Sequence, residues 1–133
     1  VAVNKVTVLV VDDSITVRHA SSKMLERNNF NVILAKDGED ALEQLQVYSP
    51  NIILSDIEMP RMDGFQFVKN IRSVDKYSHI PIIMITSRTA EKHQKRAFEL
   101  GANDFLGKPY KEEELIEKIQ NLLEYNKELV WIF

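Results

Sequence analysis

A chain of 133 residues with 44% hydrophobic content is long and apolar enough for one domain with its own core. The lack of cysteine excludes disulfides, thiolate metal sites and a cysteine nucleophile, and fits a reducing, cytoplasmic compartment. A formal charge of -3 with acids and bases interspersed excludes a basic field for nucleic-acid phosphates, and no apolar run nears the roughly 20 residues of a membrane span.

The first apolar run, residues 6–11, is short and nearly uninterrupted, as a strand buried on both faces should be. Before it, Val1 is not an initiator methionine, compatible with processing, trimming or excision from a longer protein, and the first residues lack a secretory signal. Asp13-Ser14 offers a side-chain cap to a helix whose apolar positions are Ile15, Ala20, Met24 and Leu25. A second strand at 32–35 leads to the Asp37-Gly38 cap and a helix carrying Ala41, Leu42 and Leu45. Pro50 precedes a third strand at 52–54, and Asp63-Gly64 caps the helix that follows. Pro81 precedes a fourth strand at 82–85, and Gly101 ends the fourth helix, leaving 103–107 as a short fifth strand. Pro109 precedes the turn 111–114, which opens a last helix whose acidic first turn suits the positive end of its dipole. The final Leu129-Val130-Trp131-Ile132-Phe133 is a packed helix extension, the start of a linker or an appended remnant, and is expected to contact another surface. The expected organisation is a single domain over 1–133, with its core in 6–125 and an apolar extension over 126–133.

Regular alternation of strand and helix implies a doubly wound α/β fold, a parallel sheet with helices on both sides, because right-handed crossovers need a helix between parallel neighbours. In such sheets ligands gather at the carboxyl ends of the strands. There the sequence places Asp12 and Asp13 after the first strand, Asp56 after the third, Thr86 after the fourth and Lys108 after the fifth. Carboxylates ~4 Å apart repel by about 1 kcal/mol per pair in water and about 4 at intermediate dielectric. A cation belongs there, and with only oxygen ligands on offer magnesium is the natural guest.

The runs Val8-Leu9-Val10-Val11-Asp12-Asp13-Ser14 and Asp56-Ile57-Glu58-Met59-Pro60-Arg61-Met62-Asp63-Gly64, with the pairs Thr86-Ser87 and Lys108-Pro109, resemble bacterial two-component response-regulator receiver domains. Every motif stands in the expected order across nearly the whole chain. The resemblance implies a three-layered, flavodoxin-like sheet in the order 2-1-3-4-5. It implies that Asp56 is the phospho-acceptor, attacking a phosphohistidine of a histidine kinase or phosphotransfer partner to form an acyl phosphate. Asp13 and Asp56 are then direct magnesium ligands, with Asp12 acting through water and Glu58 through its backbone carbonyl. Lys108, the Thr86 hydroxyl and the Ser87 backbone would hold the phosphoryl oxygens, Thr86 reaching them only when its loop moves inward. Such a domain is no enzyme beyond catalysing its own phosphorylation and dephosphorylation.

The phosphoryl group adds about -1.5 to -2 charges, and the resemblance implies that Thr86 then vacates space for Phe105, unless Phe105 is a fixed core residue. The expected output face for a downstream protein or a self-dimer is the fourth helix, fifth strand and fifth helix. The fourth carries Arg88, Lys92, His93, Lys95 and Arg96, which otherwise form a solvated face. Glu58 and Arg88 are expected to screen the phosphoryl group from water, or else to be two exposed charges of little weight. Individually, an Asp at a strand end is a cap, a Thr a strand residue and a Lys before Pro a solvated charge. Asp63-Gly64 is read as wholly structural.

A dehalogenase-like phosphatase needs acid, any residue, acid after the first strand, whereas here the acids are adjacent. A flavodoxin loop would carry glycine where residues 12–16 have none. An interaction module that keeps the fold without taking phosphate is the remaining alternative. Thr86-Ser87-Arg88-Thr89-Ala90 and Leu106-Gly107-Lys108-Pro109-Tyr110 look most like receivers fused to chemotaxis-type hybrid kinases of twitching motility, with stand-alone chemotaxis receivers next.

Overall fold

A computed structural model describes residues 5–87 and 91–132, with side chains through residue 124. Strands β1 (Thr7–Val11), β2 (Asn31–Ala35), β3 (Ile52–Asp56), β4 (Ile82–Thr86) and β5 (Asp104–Gly107) alternate with helices α1 (Ile15–Glu26), α2 (Gly38–Val47), α3 (Gly64–Ser73), α4 (Glu91–Leu100) and α5 (Glu112–Ile132). The strands are all parallel, in the order β2-β1-β3-β4-β5. The doubly wound sheet and its strand order are those expected.

Successive side chains of a strand point to opposite faces. Val8 and Val10 of β1 therefore join Leu25 of α1 and Leu115, Ile116 and Ile119 of α5 in one core layer. Leu9 and Val11 join Ala41 and Leu45 of α2, Phe67, Val68 and Ile71 of α3 and Ala97 of α4 in the other. β3 and β4 are buried along their whole length, which explains their unbroken apolar runs.

The caps lie where the side chains suggested. Ser14 accepts from Val17 N, Asp37 from Asp40 N and Asp63 from Gln66 N, the last closed into a capping box by the Gln66 side chain. Gly101, at φ +113, ends α4 in a left-handed turn with Ala102 N donating to the Ala97 carbonyl. One expectation for α1 is corrected. Ile15 is 74% exposed and Ala20 is exposed too, while the helix buries Ser21 and Leu25. Ile15 lies in the first turn of the helix, and burial at Leu25 selects the position four residues earlier. α5 continues helical to Ile132, so the apolar end begins as a helix extension.

Arg72, near the end of α3, ties the α3–β4 and α4–β5 connections together. Its guanidinium donates to the carbonyls of Gly101, Ser78 and Ile80 and to Asn103 Oδ1, at 2.8 to 3.2 Å. Arg72→Ala is expected to lower the unfolding free energy by about 2 kcal/mol, because the part-buried carbonyls of Gly101 and Ile80 lose their donor. Urea denaturation measures this, and Arg72→Lys, with fewer donors, is expected to restore only part.

Candidate functional site

The chain leaves β1 toward β2 and returns on the other side as β3, so a crevice opens at the carboxyl ends of β1 and β3. Asp12 follows β1 directly, and its backbone N–H donates to the Ala35 carbonyl at 3.1 Å, fastening it to the end of β2. Its Oδ1 accepts from Ser14 N at 2.9 Å, and its carbonyl accepts from Arg18 Nη1 at 2.7 Å. Asp56 is the last residue of β3, beyond the expected end of that strand, and is only 7% exposed. Asp12 is buried as well, whereas Asp13 is open to solvent. Carboxylate oxygens of Asp12, Asp13 and Asp56 all lie within 4.8 Å of one another.

Lys108 follows β5 and is held by its backbone N–H donating to the Thr86 carbonyl at 2.8 Å. Its ammonium donates to Asp12 Oδ2 at 2.9 Å and stands 3.5 Å from Asp56 Oδ2. The Lys108-Pro109 bond is cis, and the Tyr110 hydroxyl beyond it shares a 3.2 Å hydrogen bond with buried Ser21 of α1. Burial of Asp56 pushes its carboxyl up to about 6; Lys108 pulls it down, Asp12 pushes it further up, and the backbone N–H groups of Glu58 and Ile57 favour the ionised form. Burial opposes the charge on Lys108, but the hydrogen bond to Asp12 and the attraction of Asp56 and Asp12 outweigh it and raise its pKa.

A second group borders the first. Thr86, fully buried at the end of β4, donates its hydroxyl to Glu58 Oε1 at 3.1 Å, and Ser87 donates to the same oxygen at 3.4 Å. The side chain of Glu58, expected to face Arg88, thus holds the β4–α4 loop; Arg88 lies outside the described residues. Phe105 is buried in the α2–α4 layer, opposite Met84 in strand register. On α4, His93 stacks on Phe65 with centroids 6.3 Å apart, and the Arg96 guanidinium sits 4.7 Å above the same ring. His93 and Arg96 of the basic run therefore pack on Phe65, although Arg96, like Lys92 and Lys95, is exposed.

The acid cluster fits a magnesium ion. Its donors are all oxygen, and one of its carboxylates is open to solvent, as an ion that keeps waters requires. The sequence reading missed Arg18 and Tyr110, which steady Asp12 and the Lys108 turn. Arg18, four residues beyond the Ser14 cap, shares the face that looks onto the rim, and this spacing was a legible signal for it. Nothing in the spacing pairs Tyr110 with Ser21, 89 residues away.

A family model described as the response regulator receiver domain matches residues 8–120. Among solved structures, the chemotaxis protein CheY4 of Vibrio cholerae is 36% identical, with a TM-score of 0.85, over 89% of this chain and 98% of that one. A probable transcriptional regulator, ycf27, of Cyanophora paradoxa is 38% identical over 91% of this chain and 49% of its own length. A hybrid signal transduction histidine kinase D of Dictyostelium discoideum is 32% identical over 93% of this chain and 8% of its own length. The chain thus spans about half the length, or less, of these curated relatives.

Crowding at Asp56 has a consequence for stability. With EDTA present, native Asp56 keeps its proton up to about pH 6, whereas the same group in the unfolded chain loses it near 3.8. The native state binds more protons between these values, so the unfolding free energy is expected to fall as pH rises through this window. Asp56→Asn is expected to flatten that fall and to stabilise the metal-free protein at neutral pH, measured by urea denaturation across the window. A native profile that Asp56→Asn leaves unchanged would contradict the crowding.

Proposed function

Because the chain belongs to the response regulator receiver domain family, we propose that it takes a phosphoryl group from a phosphohistidine onto Asp56 and converts the added charge into a changed binding surface. The observation that carries this reading is a buried carboxylate 3.5 Å from a lysine ammonium, beside two further acids whose oxygens gather within 4.8 Å. Asp12, Asp13, Asp56 and the backbone carbonyl of Glu58 would hold magnesium. When bound, the ion neutralises charge between the carboxylates and the incoming phosphoryl oxygens.

Asp56 acts as nucleophile. As the bond from its carboxylate oxygen to phosphorus forms, the bond from phosphorus to the imidazole nitrogen breaks, and the departing histidine keeps the electron pair and takes up a proton. Lys108 exchanges its contacts with Asp12 and Asp56 for the phosphoryl oxygens. Its position changes little, because the backbone bond to Thr86 and the Tyr110–Ser21 contact hold the turn. Thr86 must release Glu58 before its hydroxyl, with the Ser87 backbone N–H, binds the phosphoryl group. That release draws the β4–α4 loop inward, and Phe105 moves into the space left. The surface of α4, β5 and α5 then meets a downstream protein or a second copy.

The donor is a histidine kinase or phosphotransfer domain. The relatives' names support a place in two-component signalling, as a stand-alone regulator or as part of a hybrid kinase, and the CheY4 likeness supports chemotaxis, while twitching motility rests on the sequence resemblance alone. No described helix is long and apolar enough to cross a membrane, and a cytoplasmic setting belongs to the same proposal. The domain, with its core in 6–125, catalyses only its own phosphorylation and dephosphorylation.

Incubation with acetyl phosphate and magnesium is expected to add one phosphoryl mass to the native protein and none to Asp56→Asn. Intact mass spectrometry reads both. No added mass on the native chain, or equal labelling of the variant, favours a phosphate-independent interaction module instead.

A further inference from the structure

The segment between β3 and α3 contains Glu58, whose carbonyl is proposed above as a metal ligand, and it is pinned at two places. At its far end, Gly64 packs under the nucleophile. A Cβ there would fall 2.4 Å from the Asp56 carbonyl oxygen and 2.7 Å from the Ile57 Cα, and Gly64 N–H donates to the Ile57 carbonyl at 2.7 Å. Only glycine fits this approach. Between these ends the chain passes through Arg61 at φ +67, a left-handed conformation that a side chain bearing a Cβ rarely adopts.

That conformation aims the Arg61 guanidinium at Asp37, and the two form an ion pair. Asp37 is a fixed anchor. Its side chain is 5% exposed, its Oδ1 accepts from Asp40 N at 2.8 Å as the cap of α2, and this backbone hydrogen bond, with Arg61 assisting against burial, holds its carboxyl below the ordinary range. The next residue on each side adds a second contact. A Cβ on Gly38 would lie 2.6 Å from Met62 Sδ, so the Met62 side chain packs directly against the start of α2. Met62 N–H also donates to the Pro60 carbonyl at 2.7 Å, tightening the turn that Arg61 occupies.

We propose that Arg61 is a positioning residue for the metal site: through its ion pair with Asp37 it fixes the shape of residues 57–63 and so presents the Glu58 carbonyl toward the cluster of Asp12, Asp13 and Asp56. Arg61 touches neither ion nor phosphoryl group. Its effect is on the affinity for magnesium, set by how well the segment is held before the ion arrives. This inference rests on the metal site proposed above, and its failure is distinguishable from failure of that reading.

The test is direct titration of the full chain with magnesium by calorimetry, for the native protein, Arg61→Ala, Arg61→Lys, Asp37→Asn and the Arg61→Ala/Asp37→Asn pair. Asn at 37 keeps the helix cap, so the α2 start is retained, and circular dichroism and urea unfolding report any general loss of fold. Arg61→Ala and Asp37→Asn are each expected to weaken magnesium binding by on the order of 10-fold, as loss of a partner behind a ligand does. The double variant is expected to be no weaker than either single one, and Arg61→Lys to recover most of the affinity. With acetyl phosphate, the variants are expected to reach the native labelling rate once magnesium saturates. Native-like affinity in both single variants, or losses that multiply in the double variant, overturns the positioning role. A native chain that binds no magnesium overturns the metal site itself.

Discussion

Like charges gathered at one rim are the constraint on which this structure turns. Parallel strands deliver Asp12 and Asp56 from neighbouring β1 and β3 into a buried corner, and α1 starts so close that Asp13 must share it. Nothing in hydrophobic packing favours that arrangement, and burial of Asp56 raises its pKa to about 6. Lys108 offsets part of the repulsion by reaching across from β5, and it pairs more closely with Asp12 than with Asp56. The corner therefore holds an excess of negative charge that an external cation can satisfy, at the place where a phosphoryl group would add more.

The surrounding elements are arranged to hold that excess still. Asp12 is tied by its backbone to β2 and Arg18, and the Lys108 turn is tied to β4 and, through Tyr110, to α1. Gly64 brings the start of α3 against the back of Asp56. Asp63-Gly64, read as structural, has two structural parts here: Asp63 caps α3, and Gly64 allows its start to pack against the Asp56 backbone carbonyl. Glu58 links this loop to the next one through Thr86 and Ser87. In the proposed mechanism, the hydroxyl that must bind phosphate is thus already engaged by a carboxylate of the neighbouring loop.

Sheet order, caps and the rim residues were legible because each follows from a local signal or from motifs in fixed order. The caps at Ser14, Asp37 and Asp63 need only a short polar side chain before an apolar stripe, and Gly101 needs only its left-handed turn. What was not legible depends on tertiary geometry. Helical spacing fits Ile15 and Ala20 as well as Ser21 and Leu25, and only packing against β1 and α5 decides which face of α1 is covered. Arg61 with Asp37 and Arg72 with Asn103 join positions 24 and 31 residues apart, and no periodicity in the sequence pairs them. The contacts of Glu58 with Thr86 and Ser87 were likewise not legible, because those residues come from another loop.

The central claim is that the acid corner is completed by a divalent cation, and thermal unfolding with magnesium against EDTA tests it most directly. A ligand bound only by the native state stabilises it, by about 2.7 kcal/mol at a concentration 100 times its dissociation constant. Magnesium is expected to raise the melting temperature of the native chain, and Asp13→Asn, which keeps size while removing one charge, to lose most of that gain. A native chain whose melting temperature is the same in magnesium and in EDTA would contradict the account.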